Sequence, residues 1–197
     1  MLLAPDIATA RLLLTPLSAA DAEALFAYRA LAEVCRYQSW KPSRLGDAIA
    51  FIEQLQPVEF NSPGTWFQLG IRLKESQQLV GDLGVHFLDD GRQVEIGFTL
   101  APTFQGRGLG TEAVRGLLGC LFERLGKHRV FALVDPRNHR SVRLLQRVGM
   151  RQEAASPLPN VGVQDDWTGH LVFTILATEW RARVYPARHR LPRGRED

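Results

Sequence analysis

The chain has 197 residues, of which 45% are hydrophobic and 23% are charged, and these values are typical of one globular domain with a sizeable core. The only two cysteines, Cys35 and Cys120, lack metal-site spacing and are too few for a disulfide framework, so we expect a reducing cytoplasm and no metal site. No apolar run reaches the roughly 18 residues of a membrane span, and the N-terminus lacks signal-peptide features, so we expect neither a membrane protein nor a secreted one.

The formal net charge of +3 is unevenly distributed. Residues 181–197 contain six arginines and two acidic residues, so this short segment is basic and the rest of the chain is close to neutral. We predict one domain over residues 1–180 and a basic Arg/Pro-rich tail over residues 181–197. Such tails are usually solvated ends, and contact with RNA through the tail is a lower-ranked alternative.

Apolar periodicity predicts seven strands and about four helices. Ser18 and Asp21 have the spacing of a capping box at the start of the first helix, and Gly149 stands where the last helix should end. Because hairpins and crossovers both occur, the predicted class is α+β with a mixed, mostly antiparallel sheet. The predicted strands are 11–17, 65–73, 79–88, 92–100, 128–134, 151–155 and 166–178, and the predicted helices are 18–30, 44–56, 113–125 and 138–148.

A glycine-rich turn separates the fourth predicted strand from the third predicted helix. Gly106, Gly108 and Gly110 remove side chains beside the first N–H groups of that helix, which have no helical partner and lie at the positive end of its dipole. Arg107 adds a positive charge with forked donors. The turn therefore predicts a phosphate site, and a tight turn with purely structural glycines is the alternative. Its spacing matches neither a P-loop nor a dinucleotide fingerprint.

Two motifs resemble the GNAT superfamily of N-acetyltransferases, and in particular its RimJ/RimL branch, which acetylates protein N-terminal amines. Gln105-x-x-Gly108-x-Gly110 resembles the loop that binds the acyl-CoA pyrophosphate, and residues 138–150 resemble the branch's N-x-x-S-x-R-L-L-x-K-x-G-F segment. The resemblance spans roughly residues 9–180. It implies a GNAT-type fold with a seven-stranded sheet that splays between its fourth and fifth strands.

The resemblance also implies acetyl-CoA as the cofactor, with its pantetheine arm between the splayed strands. Main-chain amides over 97–100 would hold the arm and polarise the thioester carbonyl. Asn138 would contact the arm, with a plain N-cap as the alternative role. The residues expected to bind the cofactor are Phe98, Thr99, Leu100, Gln105, Gly106, Arg107, Gly108, Leu109, Gly110, Thr111, Asn138 and Ser141.

Glu95 is the best candidate for the base that removes a proton from the amine, because it alternates away from its apolar neighbours on a central strand. A structural ion pair is the alternative. The acid that protonates the thiolate is left open between Ser141, water and none, because Leu145 stands where many members of the superfamily have tyrosine. Gly169 and Phe173 likewise replace an aspartate and a tyrosine that the branch often carries.

We expect the acceptor pocket between the connection 34–43, the loop 57–64 and the loop 156–166. The residues expected to line it are Tyr37, Trp40, Trp66, His86 and Trp167.

The leading prediction is an acetyl-CoA-dependent N-acetyltransferase that acts by direct attack of a primary amine in a ternary complex. A protein N-terminal amine and a small-molecule amine are both open as acceptors, and a homodimer is left open. The alternative is a non-catalytic acyl-CoA-binding module of the same fold, with a regulatory or partner-binding role.

Overall fold

The computed structural model describes residues 6–55, 58–153 and 169–186. The strands are β1 (Ile7–Ala8), β2 (Leu12–Pro16), β3 (Thr65–Leu73), β4 (Leu79–Phe87), β5 (Gln93–Leu100), β6 (Arg129–Val134), β7 (Arg151–Gln152) and β8 (Leu171–Leu176). They form one eight-stranded sheet in the order β1-β2-β3-β4-β5-β6-β8-β7. Each neighbouring pair is antiparallel except β5 and β6, which are parallel.

This topology confirms the predicted α+β class and the mixed, mostly antiparallel sheet. The predicted number of seven strands was too low, because β1 has only two residues and cannot show the alternation that identifies a strand.

Six α-helices lie within the described ranges. They are α1 (Ala22–Arg29), α2 (Ala32–Cys35), α3 (Leu45–Leu55), α4 (Leu109–Gly119), α5 (His139–Val148) and α6 (Ala177–Val184). None of these helices has both the length and the apolar character that crossing a membrane requires. The four predicted helices are present, whereas α2, a single turn that overlaps the start of the predicted connection 34–43, and α6 were not predicted.

Helix α6 corrects one prediction at the C-terminal end, because the strand predicted over 166–178 ends at Leu176. The domain boundary at residue 180 stays a prediction. The carboxylate of Glu179 accepts a hydrogen bond from the main-chain N–H of Leu176 at 2.8 Å, and the indole N–H of Trp180 donates to Glu123 at 3.0 Å. These two contacts stabilise the helix. The sequence did not predict it, because an arginine-rich pattern does not reveal such contacts.

The parallel pairing of β5 and β6 is short. It joins Gln93 to Arg129, Val94 to Val130 and Glu95 to Phe131. No later pair is formed between the two strands, both of which the structure describes throughout, so they separate after Glu95. This confirms the predicted splay between the strands that were counted as fourth and fifth from the sequence.

Helices cover both faces of the sheet. On one face α4 and α5 bury Leu117, Leu118 and Leu145 against the sheet. On the other face α1 and α3 bury Leu25 and Ile52. The site residues of β5 are therefore divided between two layers, because successive side chains of a strand point to opposite faces.

Candidate active site

The turn before α4 has the backbone that its glycines predict. Gly106 and Gly108 have φ angles of 76° and 78°, which residues with side chains rarely adopt, and Gly108 is the residue immediately before α4. A Cβ atom built on Gly106 would meet no atom within 4 Å, and one on Gly108 would lie 3.5 Å from Nη2 of Arg11. The glycines thus provide both the turn geometry and open space beside the unpaired N–H groups of α4.

Gly110 has a different role from the other two glycines. A Cβ atom at this position would lie 2.9 Å from methyl carbons of Leu100 and Leu144. Its missing side chain therefore allows close packing of α4 against β5 and α5, rather than an approach by phosphate.

The side chain of Gln105 is committed to protein partners. Its amide nitrogen donates to the main-chain oxygen of Leu100 at 2.9 Å, and its amide oxygen accepts from Arg140 Nη1 at 2.7 Å. Gln105 thereby links the end of β5 to α5. The predicted cofactor contact of this residue would have to come from its main chain.

A groove of about 880 Å³ runs beside the glycine turn. The sequence did not predict its N-terminal wall, because the contact that builds it joins Arg11 to Glu112 across about a hundred residues. The main-chain N–H of Arg11 donates to Glu112 Oε1 at 2.7 Å, and its Nε donates to Oε2 at 2.7 Å. The basic and small residues that line the groove include Thr9, Arg11, Gly106, Gly108, Thr111, Arg115 and Arg147.

The carboxyl of Glu112 is stabilised in its ionised form. Burial by itself would raise the pKa of Glu112, but hydrogen bonds from Thr9 and Arg11, together with the charge of Arg11, hold the pKa below its ordinary value. The hydroxyl of Thr9 donates to Glu112 Oε1 at 2.6 Å. A carboxylate in the first turn of α4 is also favoured by the helix dipole.

A second cavity, of about 90 Å³, lies in the gap between β5 and β6. Asn138 and Ser141 line it from α5, and Asn138 Oδ1 accepts a hydrogen bond from the main-chain N–H of Ser141 at 3.2 Å. The N-cap role of Asn138 is thus confirmed, and its position in the cavity is compatible with a cofactor contact as well. The lining comprises Tyr37, Gln38, Ile96, Gly97, Phe98, Ala132, Leu133, Val134, Asp135, Asn138, Ser141, Leu145 and His170.

Gln38 and His170 are cavity residues that sequence reasoning missed. Gln38 lies beside the predicted Tyr37, whose hydroxyl donates to the main-chain oxygen of Arg137 at 3.4 Å. His170 precedes β8 and has no sequence signal of its own. Leu145 also lines the cavity and is fully buried, so the position that often carries tyrosine in the superfamily is occupied by a core side chain.

Glu95 lies where β5 and β6 separate, because it forms the last paired position with Phe131. Its Oε2 atom is 3.6 Å from Nδ1 of His86 on β4. Burial raises the pKa of Glu95, and the charges of His86 and His170 oppose part of that increase. A raised pKa makes the carboxylate a better proton acceptor near neutral pH. Glu95 therefore combines the raised pKa of the predicted base with the neighbouring charged group of the alternative ion pair.

The side chain of Thr99 faces the layer of α1. Thr99 is paired with Asp82 of β4, and Asp82 accepts hydrogen bonds from Tyr28 and Arg29 of α1. The Thr99 hydroxyl is buried and has no hydrogen-bond partner among the described residues. Phe98 and Leu100 point to the other face, against the core beneath α4. A cofactor contact at Thr99 therefore depends on its main-chain groups, whereas Phe98 lines the cavity between β5 and β6.

The predicted acceptor residues fall into four groups. Tyr37 lines the cavity between β5 and β6, and Trp66 and His86 lie beside Glu95 on the same face of the sheet. Trp40 instead stacks on Phe51 with ring centroids 4.3 Å apart, in the layer of α1 and α3, away from the cavity lining. Trp167 lies outside the residues that the structure describes, as do the loop 156–166 and the tail from residue 187.

Residues 11–151 match the family described as Acetyltransferase (GNAT) domain. The chain belongs to the GNAT acetyltransferase family. It is 30% identical over 151 residues to the "Uncharacterized N-acetyltransferase YoaA" of Bacillus subtilis, covering 76% of this chain and 84% of that protein. It is 23% identical over 124 residues to the "[Ribosomal protein uS5]-alanine N-acetyltransferase" of Escherichia coli, covering 62% of this chain and 63% of that protein.

A solved structure confirms the fold of this GNAT protein. The chain of "Mycobacterium smegmatis RimJ in complex with CoA-disulfide" superposes with a TM-score of 0.74 at 24% identity, covering 85% of this chain and 83% of the other. The family uses acetyl-CoA as its acyl donor. The residues present fit that group: a helix begins at a turn that contains Gly106 and Gly108, arginines line the adjacent groove, and two central strands separate beside it.

Proposed function

We propose that this GNAT protein transfers the acetyl group of acetyl-CoA to a primary amine by direct attack in a ternary complex, with Glu95 as the base. The observation that carries the proposal is the separation of β5 from β6 immediately after the pair of Glu95 and Phe131. It places a half-buried carboxylate with a raised pKa at the closed end of the gap that a thioester arm would enter.

Each part of the chain has a separate task. The N–H groups at the start of α4 and the arginines of the groove bind the diphosphate. Main-chain groups of β5 beyond Glu95 no longer pair with β6, so they are free to hold the pantetheine arm and to polarise the carbonyl. Acetyl-CoA supplies the electrophilic acetyl thioester when it is bound.

The reaction needs a proton acceptor and a proton donor. Glu95 accepts a proton from the amine, and a group on the other side of the cavity donates one to the thiolate. Glu95 takes a proton from the ammonium group, directly or through water, so that the nitrogen can form its bond to the carbonyl carbon. The carbon–sulfur bond breaks, and the departing thiolate takes a proton from the hydroxyl of Ser141 or from water, which is replaced by the second proton that the acetylated nitrogen releases. Ser141 lines the cavity, whereas the fully buried Leu145 has no proton to donate.

The acceptor is a protein N-terminal amine or a small amine. Similarity to the uS5-alanine N-acetyltransferase supports the first. An N-terminal amine has an ordinary pKa of about 7.7–8.0, against about 10.4 for an alkylamine, so it needs less help from a base. A thiol-release assay with ribosomal-protein N-terminal peptides, polyamines and aminoglycosides separates the two classes.

A pair of glycine substitutions tests the cofactor site. Gly108 and Gly126 have φ angles of 78° and 63°, so valine strains the backbone at both positions, but Gly126 lies outside the groove and the cavity. We expect Gly108→Val to lower the affinity for CoA by about a hundredfold or more and Gly126→Val to leave it unchanged, as measured by calorimetry. Equal affinities in the two folded variants would remove the diphosphate assignment.

A non-catalytic acyl-CoA-binding module is the second candidate. The buried Leu145 in the cavity favours it, because no tyrosine is present there to protonate a thiolate. Tight binding of acetyl-CoA without turnover on any amine of the panel would support the module over the enzyme. A homodimer and a cytoplasmic location stay predictions.

A further inference from the structure

Three side chains on neighbouring strands form a row across one face of the sheet. Trp66 of β3 pairs with His86 of β4, and His86 pairs with Glu95 of β5. Because directly opposite residues point to the same face, the three side chains are in line. Trp66 is 45% exposed, whereas the side chains of His86 and Glu95 are 28% and 22% exposed. The row therefore runs from solvent to the point where β5 and β6 separate.

The ring of His86 is held between its two neighbours. The Trp66 indole is nearly parallel to the imidazole, with an interplanar angle of 9° and ring centroids 4.8 Å apart. On the other side, Nδ1 of His86 is 3.6 Å from Oε2 of Glu95. The indole also extends over Gly84, where a Cβ atom would lie only 3.1 Å from Trp66 Cζ3. The stacked ring and the glycine beneath it thus fix the imidazole with Nδ1 towards the carboxylate.

We propose that His86 is a positioning residue for Glu95 that receives the amine's proton from the carboxyl group and releases it to water, while Trp66 holds the imidazole in place. This inference depends on the proposed function, in which Glu95 is the base. The ammonium group gives one proton to the Glu95 carboxylate. The resulting carboxyl gives that proton to the imidazole of His86, through one water across the 3.6 Å that separates them, which restores the carboxylate, and the imidazolium then loses the proton to bulk water. Histidine suits this task because imidazoles exchange protons near neutral pH.

The other charged groups near Glu95 have partners of their own or lie further from it. Arg129, two residues before Phe131 on β6, donates to Gln93 and to Glu153 at 2.9 and 2.8 Å. On β4, the negative charge of Asp82 is neutralised by its ion pair with Arg29. The charge of His170, across the gap between β5 and β6, lowers the pKa of Glu95 less than the charge of His86 does. His86 is thus the titratable group in contact with Glu95 within the described part of the chain.

The electrostatics support the pairing. Burial raises the pKa of Glu95, and His86 is the largest influence that lowers it again. The protonated form of His86 stabilises the Glu95 carboxylate, so replacing His86 by glutamine should move the titration of Glu95 to higher pH.

Two measurements on His86→Gln test the inference, with His128→Gln as the matched control because His128 is exposed and outside the site. In the free protein, a carbon-13 NMR titration of the Glu95 carboxyl should shift to higher pH in His86→Gln and stay unchanged in His128→Gln. In the assay, the acid limb of the kcat/KM profile should shift in the same direction, and the rate near neutral pH should fall about tenfold.

Substitution of Trp66 separates the positioning role from simple burial. Trp66→Phe keeps a ring that can stack and should keep the pH profile of the unmodified protein, whereas Trp66→Ala should reproduce the changed pH profile of His86→Gln. A uniform fall in rate with an unchanged profile, or a Glu95 titration that does not move in His86→Gln, would overturn the relay. If the unmodified protein acetylates no amine, the proposed function fails, and the NMR titration still decides whether the two residues are coupled.

Discussion

Arg29 of α1 and Asp82 of β4 form a buried ion pair that anchors the first helical layer to the sheet. Arg29 Nε donates to Asp82 Oδ1 at 3.0 Å, the hydroxyl of Tyr28 donates to the same oxygen at 2.6 Å, and the amide of Gln68 donates to Oδ2. The Asp82 side chain is fully buried. Arg29 Nη1 also donates to Gln38, which lines the cavity between β5 and β6, at 3.1 Å. The pair therefore connects the sheet to one wall of the site.

We expect Asp82→Asn to destabilise the protein by about 3–5 kcal/mol, because it leaves the guanidinium of Arg29 buried without a counter-charge. Denaturant unfolding at neutral pH measures the loss. Arg44→Met is the control, since Arg44 pairs with Asp47 at 3.2 Å with 83% of its side chain exposed, and its unfolding midpoint should be nearly unchanged. Similar losses in the two variants would contradict the central role of the buried pair.

Thr99→Val should stabilise the free protein. The hydroxyl of Thr99 is buried without a partner in the described residues, and such a group costs about 1–3 kcal/mol, so an isosteric valine should add about 1 kcal/mol to the free energy of unfolding. CoA affinity should stay the same, because this part of β5 is expected to bind through its main chain. Thr174→Val is the control, since the Thr174 hydroxyl donates to the main-chain oxygen of Val130 at 3.3 Å and its loss should destabilise. A weaker CoA complex in Thr99→Val would instead assign the hydroxyl to the cofactor.

Glu112→Gln should lower stability in a way that depends on pH. The folded pKa of Glu112 lies below its ordinary value of 4.5, so its ionised form stabilises the fold above that value. This contribution is lost as the pH falls through the lower, folded pKa. The difference in unfolding free energy between the wild type and Glu112→Gln should thus be about 1 kcal/mol or less near neutral pH and vanish once the pH lies below the folded pKa of Glu112, as followed by urea unfolding.

Glu95→Gln should show the opposite pH dependence of the free energy of unfolding in the same experiment. The folded pKa of Glu95 lies above its ordinary value of 4.5, so its contribution is fully present below that value and is lost as the pH rises through the folded pKa. The wild type should therefore lose stability relative to Glu95→Gln with rising pH. Parallel pH curves for the two variants would contradict the different environments of the two carboxyls.

The features that the sequence predicts well are those that a short stretch determines by itself. The turn at Gly106 and Gly108 needs a backbone that glycine adopts most easily, and the cap of α5 needs only Asn138 and a main-chain N–H three residues later. The gap between β5 and β6 was expected from family resemblance, and the structure places it after Glu95.

The features that the sequence does not predict depend on distant partners. Arg11 and Glu112 build the groove across about a hundred residues, and neither has a local pattern that identifies the other. Trp40 and Trp66 are equally plausible as acceptor contacts in the sequence. Packing decides between them, because Trp40 has Phe51 to stack on, while Trp66 lies over Gly84 beside His86.

Gly97→Val should separate binding of the acceptor from binding of the cofactor. Gly97 is opposite Gly84 in the sheet, and a Cβ atom on it would point to the face of Glu95 with no atom within 4 Å. Valine suits a strand, so the fold should be retained, but its methyl groups would occupy the space above β5 that the amine must cross. We expect the KM for the acceptor to rise about 10- to 100-fold with a much smaller change in CoA affinity.

Gly84→Val is the control for that substitution. It lies on the same face, but its side chain would displace the Trp66 indole at 3.1 Å, so it should reduce stability as well as activity. Initial rates over a range of acceptor concentrations, with calorimetry for CoA, distinguish the two variants. An unchanged acceptor KM in a folded Gly97→Val protein would mean that the amine reaches Glu95 from elsewhere, and an equal loss of CoA affinity would place the cofactor arm above Gly97 instead.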